Sequence, residues 1–221
     1  MKLLRLPLLL FAVPAMLVAL ASASPGWLVL DRDALADGEL WRLWTGHWVH
    51  FSASHLLWNL AVLVTAGTWL ERVRPGALIR HALVAPPLIG LAILAGEPGL
   101  QTYGGLSALA TGTVVLLALQ QWRTPGANRW FWAGVLALVA LKCVGDLLHL
   151  GPGFARYDEA TVRTSTTAHA AGAIAAALQF AAGQWRKWRR GAPTPQVAGS
   201  EALIPRGEGT PLPCAALVRR S

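Results

Sequence analysis

Tyr103-Gly104-Gly105-Leu106-Ser107-Ala108-Leu109-Ala110-Thr111-Gly112 sets a serine at the point where a glycine-rich loop turns into an apolar helix. The first backbone N–H groups of a helix have no intrahelical partner, so a helix start can hold an oxyanion beside an attacking hydroxyl. The same small residues also suit close packing between helices in a membrane. Which reading applies depends on what the rest of the chain brings to this serine.

The chain has 221 residues, of which 54% are apolar and only 14% charged, a departure from soluble proteins toward membrane proteins. Its formal charge of +8 raises nucleic acid as a partner. The basic residues, however, gather at the ends of apolar runs, a pattern of membrane topology that argues for the lipid bilayer and no nucleic acid. Cys143 and Cys214 give neither a disulfide framework nor a thiolate metal spacing.

Six apolar segments are expected. The first covers residues 3 to 23 and is read as a retained helix, with a cleaved leader as the alternative because Ala21-Ser22-Ala23 resembles a processing site. The others run from about Trp48 to Leu70, Ala77 to Ala95, Leu106 to Gln121, Trp130 to Leu150 and Thr164 to Gln184. Residues 24 to 46 carry mixed charge and read as an outer loop, and Gly151-Pro152-Gly153 opens another. This layout puts eleven Lys and Arg on inner segments against Arg32, Arg42, Arg156 and Arg163 outside, a positive-inside bias with both termini inside. Residues 191 to 221, rich in Pro, Gly and small residues, read as a disordered cytoplasmic tail. The expected organisation is thus a first helix over 1–24, a membrane domain over 25–190 and the tail.

Polar side chains inside a span are functional candidates because burying them in lipid is costly. His55 and Asn59 lie one turn apart on the second span, His169 on the sixth, and Lys142 and Asp146 on the fifth. At about 1.5 Å per residue, Ser107, His169 and His55 stand roughly 24–26 Å above the inner charged ends and Asn59 roughly 20 Å. A hydrocarbon core of about 30 Å puts all four in one layer below the outer surface. There Ser107 and His169 suit a nucleophile and its general base, with His55, Asn59 and the Ser107 N–H beside the oxyanion. A glycine at 172, one turn from His169, favours close approach of the fourth and sixth helices. Lys142 and Asp146, four apart, read as an ion pair, which argues against a Ser-Lys dyad. His47, His50 and His55 lack the carboxylate neighbour of a common zinc motif and read as hydrogen-bonding and interfacial.

These residues resemble the rhomboid intramembrane serine proteases over about residues 39 to 184. The resemblance rests on His50-Phe51-Ser52-Ala53-Ser54-His55-Leu56-Leu57-Trp58-Asn59-Leu60, on Gly105-Leu106-Ser107-Ala108 and on Ala168-His169-Ala170-Ala171-Gly172, with Trp41-Arg42 similar to a pair in the family's first outer loop. It implies an all-α, six-transmembrane-helix bundle without metal or cofactor. Ser107 and His169 would be catalytic, with His55, Asn59 and Gly105 on the oxyanion and substrate side. It further implies cleavage of transmembrane protein substrates in a bacterial inner membrane, with the site opening outward. The Tyr-Gly-Gly-Leu-Ser start and the lysine of the fifth span look most like the rhombosortase branch, which implies secreted proteins with a glycine-rich C-terminal sorting helix as substrates. Two positions depart from the family: Ala108 follows the serine where glycine is usual, and Ala176 replaces a further small glycine of the sixth helix. Two other classes stay open. One is a non-cleaving rhomboid-like protein that binds transmembrane helices; the other is a small transporter, against which the lack of inverted internal repeats speaks.

Overall fold

The structure, a computed structural model, describes residues 6–20, 26–148 and 165–191. The Ala21–Ala23 processing site, the Gly151-Pro152-Gly153 loop and the tail beyond residue 191 lie outside the described residues. Among the described residues, eight helices and one short strand pair follow in order. They are α1 (Leu8–Leu20, opening with a π-helical stretch, Leu8–Ala12), β1 (Leu30–Asp31), α2 (Arg32–Ala36), α3 (Arg42–Thr45), α4 (Ala53–Val73), α5 (Ala77–Gly96), β2 (Thr102–Tyr103), α6 (Ser107–Trp122), α7 (Arg129–Leu147) and α8 (Thr166–Gly191). A 3-10 turn, Gly46–Trp48, joins α3 to the segment before α4.

The mostly helical architecture agrees with the sequence reading. Three helices, α4, α5 and α7, are long and apolar enough to cross a membrane, and α1 is a shorter apolar helix. α6 has 16 residues and is therefore about 24 Å long, less than the thickness of a bilayer core. It is also the central helix, packed against α4, α5, α7 and α8, and Leu109, Leu116, Leu117 and Ala118 are buried within it. α7 lies at the periphery, where Leu138, Leu141 and Val144 are exposed.

Local chemistry explains the helix ends. Ser52 caps α4 by accepting the His55 N–H at 3.2 Å. The buried Glu71 carboxylate accepts from the N–H groups of Gly76 and Leu78 at 2.8 and 2.7 Å, turning the chain from α4 into α5. Asn128 caps α7 through Trp130 and Phe131. Pro86 and Pro87 lie within α5 and supply no N–H to the preceding turn; the Leu83 carbonyl, four residues before Pro87, instead accepts from the Trp44 indole at 3.0 Å. In a low-dielectric setting such replacement matters, because an unpaired carbonyl costs several kcal/mol.

From residue 26 to α4 the chain is more ordered than a plain outer loop. β1 pairs antiparallel with β2, Leu30 opposite Tyr103, which ties this segment to the glycine-rich stretch. Arg42 is buried and bonds the Gly26 and Val29 carbonyls and Glu39. Arg32 reaches the Leu94, Glu97 and Leu100 carbonyls at the C-terminal end of α5, a placement that complements the helix dipole.

Candidate active site

Gly105 has φ +125°, and a Cβ there would meet His55 Cε1 at 2.7 Å. Only glycine takes this conformation without strain, so the loop before Ser107 comes down directly on the α4 histidine. The Gly105 N–H donates to the Gly46 carbonyl at 3.2 Å. Its own carbonyl accepts from the Tyr103 hydroxyl and faces His47 Nδ1, each at 3.3 Å.

His50 holds the next peptide. Its Nδ1 lies 3.0 Å from the Trp48 carbonyl, while its Nε2 is 3.3 Å from both the Leu106 N–H and the Asn59 amide nitrogen. One tautomer suits all three contacts: Nδ1 donates to the carbonyl, and the one Nε2 lone pair is shared between the Leu106 N–H and the Asn59 amide. Burial lowers the pKa of both His47 and His50 from the ordinary 6.5 to about 4, and the neighbouring His55 adds to the effect on His50. Both are therefore neutral at pH 7, as an accepting Nε2 on His50 requires. Asn59, expected beside the oxyanion, approaches His50, and His50, read as hydrogen-bonding and interfacial, anchors the serine loop. The clue was its position nine residues before Asn59, which brings it back above the first turns of α4.

Ser107 is the first residue of α6, as the sequence indicates, and it is partly exposed. The first backbone bond into the helix runs from the Ala110 N–H to the Leu106 carbonyl at 2.8 Å, so the N–H groups of Ser107, Ala108 and Leu109 precede the ladder. These are the donors an oxyanion needs. Thr111 and Thr113 return their hydroxyls to the Ser107 and Leu109 carbonyls, which satisfies them without a neighbouring helix.

His169 lies in the first turn of α8 and is buried. One residue past the end of α5, Glu97 fixes this turn: its carboxylate accepts from Ser165 Oγ and the Thr167 N–H, both at 2.7 Å. Ser165 Oγ in turn accepts the Ala168 N–H at 3.1 Å. α8 then runs along α6 with Gly172 against Ala108, so closely that a methyl at 172 would overlap the Ala108 carbonyl oxygen. The approach expected of Gly172 is thus made on the residue next to the serine. His55 of α4 lies near His169. Among the described residues, no hydrogen bond joins Ser107 Oγ to His169. Ala176, the other departure from the family, is fully buried.

Lys142 and Asp146 form the expected ion pair, with Nζ 2.9 and 3.1 Å from the two carboxylate oxygens. The pair does not stay on its own helix. Asp146 Oδ2 is also 2.7 Å from His169 Nδ1, and a lysine held by its carboxylate is no general base. Among the described residues no group of His, Cys, Asp and Glu is arranged to hold a metal ion.

A serine at a helix start, a histidine on the adjoining helix and a glycine loop braced by neutral histidines suit acyl transfer. The Rhomboid domain family matches residues 37–184 of the 221. The chain belongs to the rhomboid family. The match contains Ser107, His169, His55, Asn59 and Gly105, and it excludes α1 and the tail. No curated protein matches the chain. Family membership and the apolar helices together make it a multi-pass membrane protein of an intramembrane-protease family that acts on transmembrane substrates.

Proposed function

We propose that this rhomboid protein is an active serine endopeptidase that cuts transmembrane anchors near the outer face of a bacterial inner membrane. The observation that carries the reading is the start of α6: Ser107 stands before an unfilled turn of N–H donors, and the residue after it is packed on the helix that bears His169. As Ser107 Oγ attacks the scissile carbonyl, its proton passes to His169 Nε2 and the oxygen takes up the negative charge beside the α6 N–H groups. The imidazolium then gives that proton to the leaving amine as the C–N bond breaks. Water, deprotonated by the same nitrogen, releases the acyl group and restores the serine. His55 and Gly105 border this space, and Asn59 acts on it through His50 as well as directly.

The reading extends to a six-span bundle with both termini inside, α1 retained, a membrane domain over 25–190 and a cytoplasmic tail after it. It extends also to glycine-rich C-terminal sorting helices as substrates, as in the rhombosortase branch. Such anchors unwind readily at glycine, which brings the scissile carbonyl within reach of the serine. No cofactor enters the scheme.

One observation favours the second reading, a rhomboid-like protein that binds transmembrane helices without cutting them: no hydrogen bond joins Ser107 to His169. Catalytic hydrogen bonds are often long before substrate binds, so cleavage decides. A glycine-rich membrane-anchor reporter is co-expressed with wild type, Ser107→Ala and His169→Ala. Processing by wild type alone supports the protease; equal processing in all three refutes it. Retained partner capture by an uncut complex with Ser107→Ala and wild type alike favours the binder.

A further inference from the structure

We infer that Asp146 is a positioning residue that fixes the tautomer of His169, with Lys142 as its counter-charge, so that the site works as a carboxylate-histidine-serine relay. The inference rests on the protease reading for its catalytic meaning, although its structural core stands alone. Lys142 and Asp146 would satisfy each other on α7 without help from any other helix, since the ammonium reaches both carboxylate oxygens. Instead Asp146 Oδ2 is shared with His169 Nδ1 from α8, at 2.7 Å, and Lys142 Nζ lies 3.4 Å from that same nitrogen.

Proton accounting fixes the arrangement. An ammonium has donors only, and an ionised carboxylate has acceptors only. The 2.7 Å contact therefore places a hydrogen on Nδ1, and the Lys142 contact is an approach of two donors, not a bond. A neutral imidazole with Nδ1–H keeps its lone pair on Nε2, the nitrogen that must receive a proton from Ser107 Oγ. Among the described residues Nε2 has no hydrogen-bond partner. When Nε2 is protonated the ring becomes cationic beside the Asp146 carboxylate, which steadies it. Lys142 opposes that charge, while its pairing with Asp146 keeps the resting trio neutral overall at the edge of a low-dielectric site.

The titratable groups near the His169 ring are His55 from α4 and Lys142 and Asp146 from α7. Glu97, beyond α5, binds the chain just ahead of it. Among the described residues, Asp146 alone accepts a hydrogen bond from the ring.

The test uses the full chain in lipid nanodiscs with two readouts. The first is the rate at which a fluorophosphonate labels Ser107 as a function of pH; the second is the 15N shifts of His169. Wild type is expected to show Nδ1–H with an unprotonated Nε2. Asp146→Asn offers Nδ1 a donor, so it should move the proton to Nε2 and slow labelling by about a hundredfold or more. Asp146→Ala, which leaves the tautomer unforced, should slow it less, and Asp146→Glu should recover part of the rate. Lys142→Met should leave the tautomer in place and move the acid limb of the pH profile upward, because the imidazolium loses a repelling neighbour. A merely structural pair would instead lower Asn and Ala variants equally, with His169 unchanged in its shifts. That result, or a wild-type His169 protonated at Nε2, overturns the inference, and the wild-type shifts decide even where a variant fails to fold. Failure of the protease reading shows separately, as no labelling of wild-type Ser107, while the nitrogen shifts still answer for Asp146.

Discussion

Replacing Gly172 by alanine tests whether the α6–α8 seam sets the geometry of the site. A Cβ at 172 would lie 2.8 Å from the Ala108 carbonyl carbon and closer still to its oxygen, where ordinary contacts begin at 3.4 Å. The carbon alone demands a retreat of ~0.6 Å, and the oxygen demands more than ~1 Å. Both partners are backbone in helices, so no side chain can rotate out of the way. Overpacking of this kind costs about 1–3 kcal/mol. A 1 Å misplacement between a nucleophile and its base costs roughly a hundredfold in rate, and the seam lies one residue from Ser107 and one turn from His169. Gly172→Ala is therefore expected to slow fluorophosphonate labelling of Ser107 by about a hundredfold, with a lower unfolding temperature in detergent. Gly183→Ala is the control on the same helix, because nothing lies within 4 Å of its added methyl. It should label at the wild-type rate and be stabler by about 0.5–1 kcal/mol, from the higher helix propensity of alanine. Gly172→Ala labelling at the rate of Gly183→Ala would refute the claim that this contact positions the site.

Gly105→Ala combines a left-handed φ of +125° with a 2.7 Å clash on His55 Cε1; a loss of about 1–3 kcal/mol and of Ser107 labelling is expected, and His55→Ala should restore only the part due to the clash, as thermal melts of the double variant will show. For His47, whose pKa falls from 6.5 to about 4 on burial, the unfolded chain takes up a proton first as pH drops. The stability it contributes is thus complete above pH 6.5 and is lost by about pH 4, to an extent of about 3 kcal/mol; melts of wild type and His47→Gln across this window should converge toward pH 4. Glu97→Ala removes the acceptor of Ser165 Oγ and the Thr167 N–H, at a cost of about 1–2 kcal/mol. It should raise amide hydrogen exchange in residues 167–170 and slow labelling, whereas unchanged exchange would show that α8 is held by its packing alone.

The sequence carried the parts of the fold that depend on one helix at a time. The start of α6 at Ser107 followed from a glycine loop running into small apolar residues. The 142–146 pair followed from its spacing of four. Contacts between helices were less legible, because they depend on how each helix is rotated and how far it leans. Asn59 was read on one face of α4 with His55, yet its hydrogen-bond partner is a histidine in the non-helical segment before that helix. Nothing around Glu97 in the chain signals its role, since the Ser165 it binds is 68 residues away.

The link from Asp146 to His169 had a signal in the sequence, in the face of α7. Among its described residues only Trp132 and Cys143 are buried, and Val135, Leu136 and Val139 pack partly on the core. Trp132, Val135, Val139, Lys142 or Cys143, and Asp146 succeed one another at steps of three and four, which is one stripe of a helix. The opposite side, with Leu138, Leu141 and Val144, is exposed. A peripheral helix that gives lipid its aliphatic side must turn any charges inward, and one that pairs Lys142 with Asp146 there presents a carboxylate to whatever packs beside it. The neighbour is the first turn of α8, whose ionisable residue is His169. The ion pair and the candidate base thus belong to one constellation, although the spacing on α7 alone accounts for only half of it.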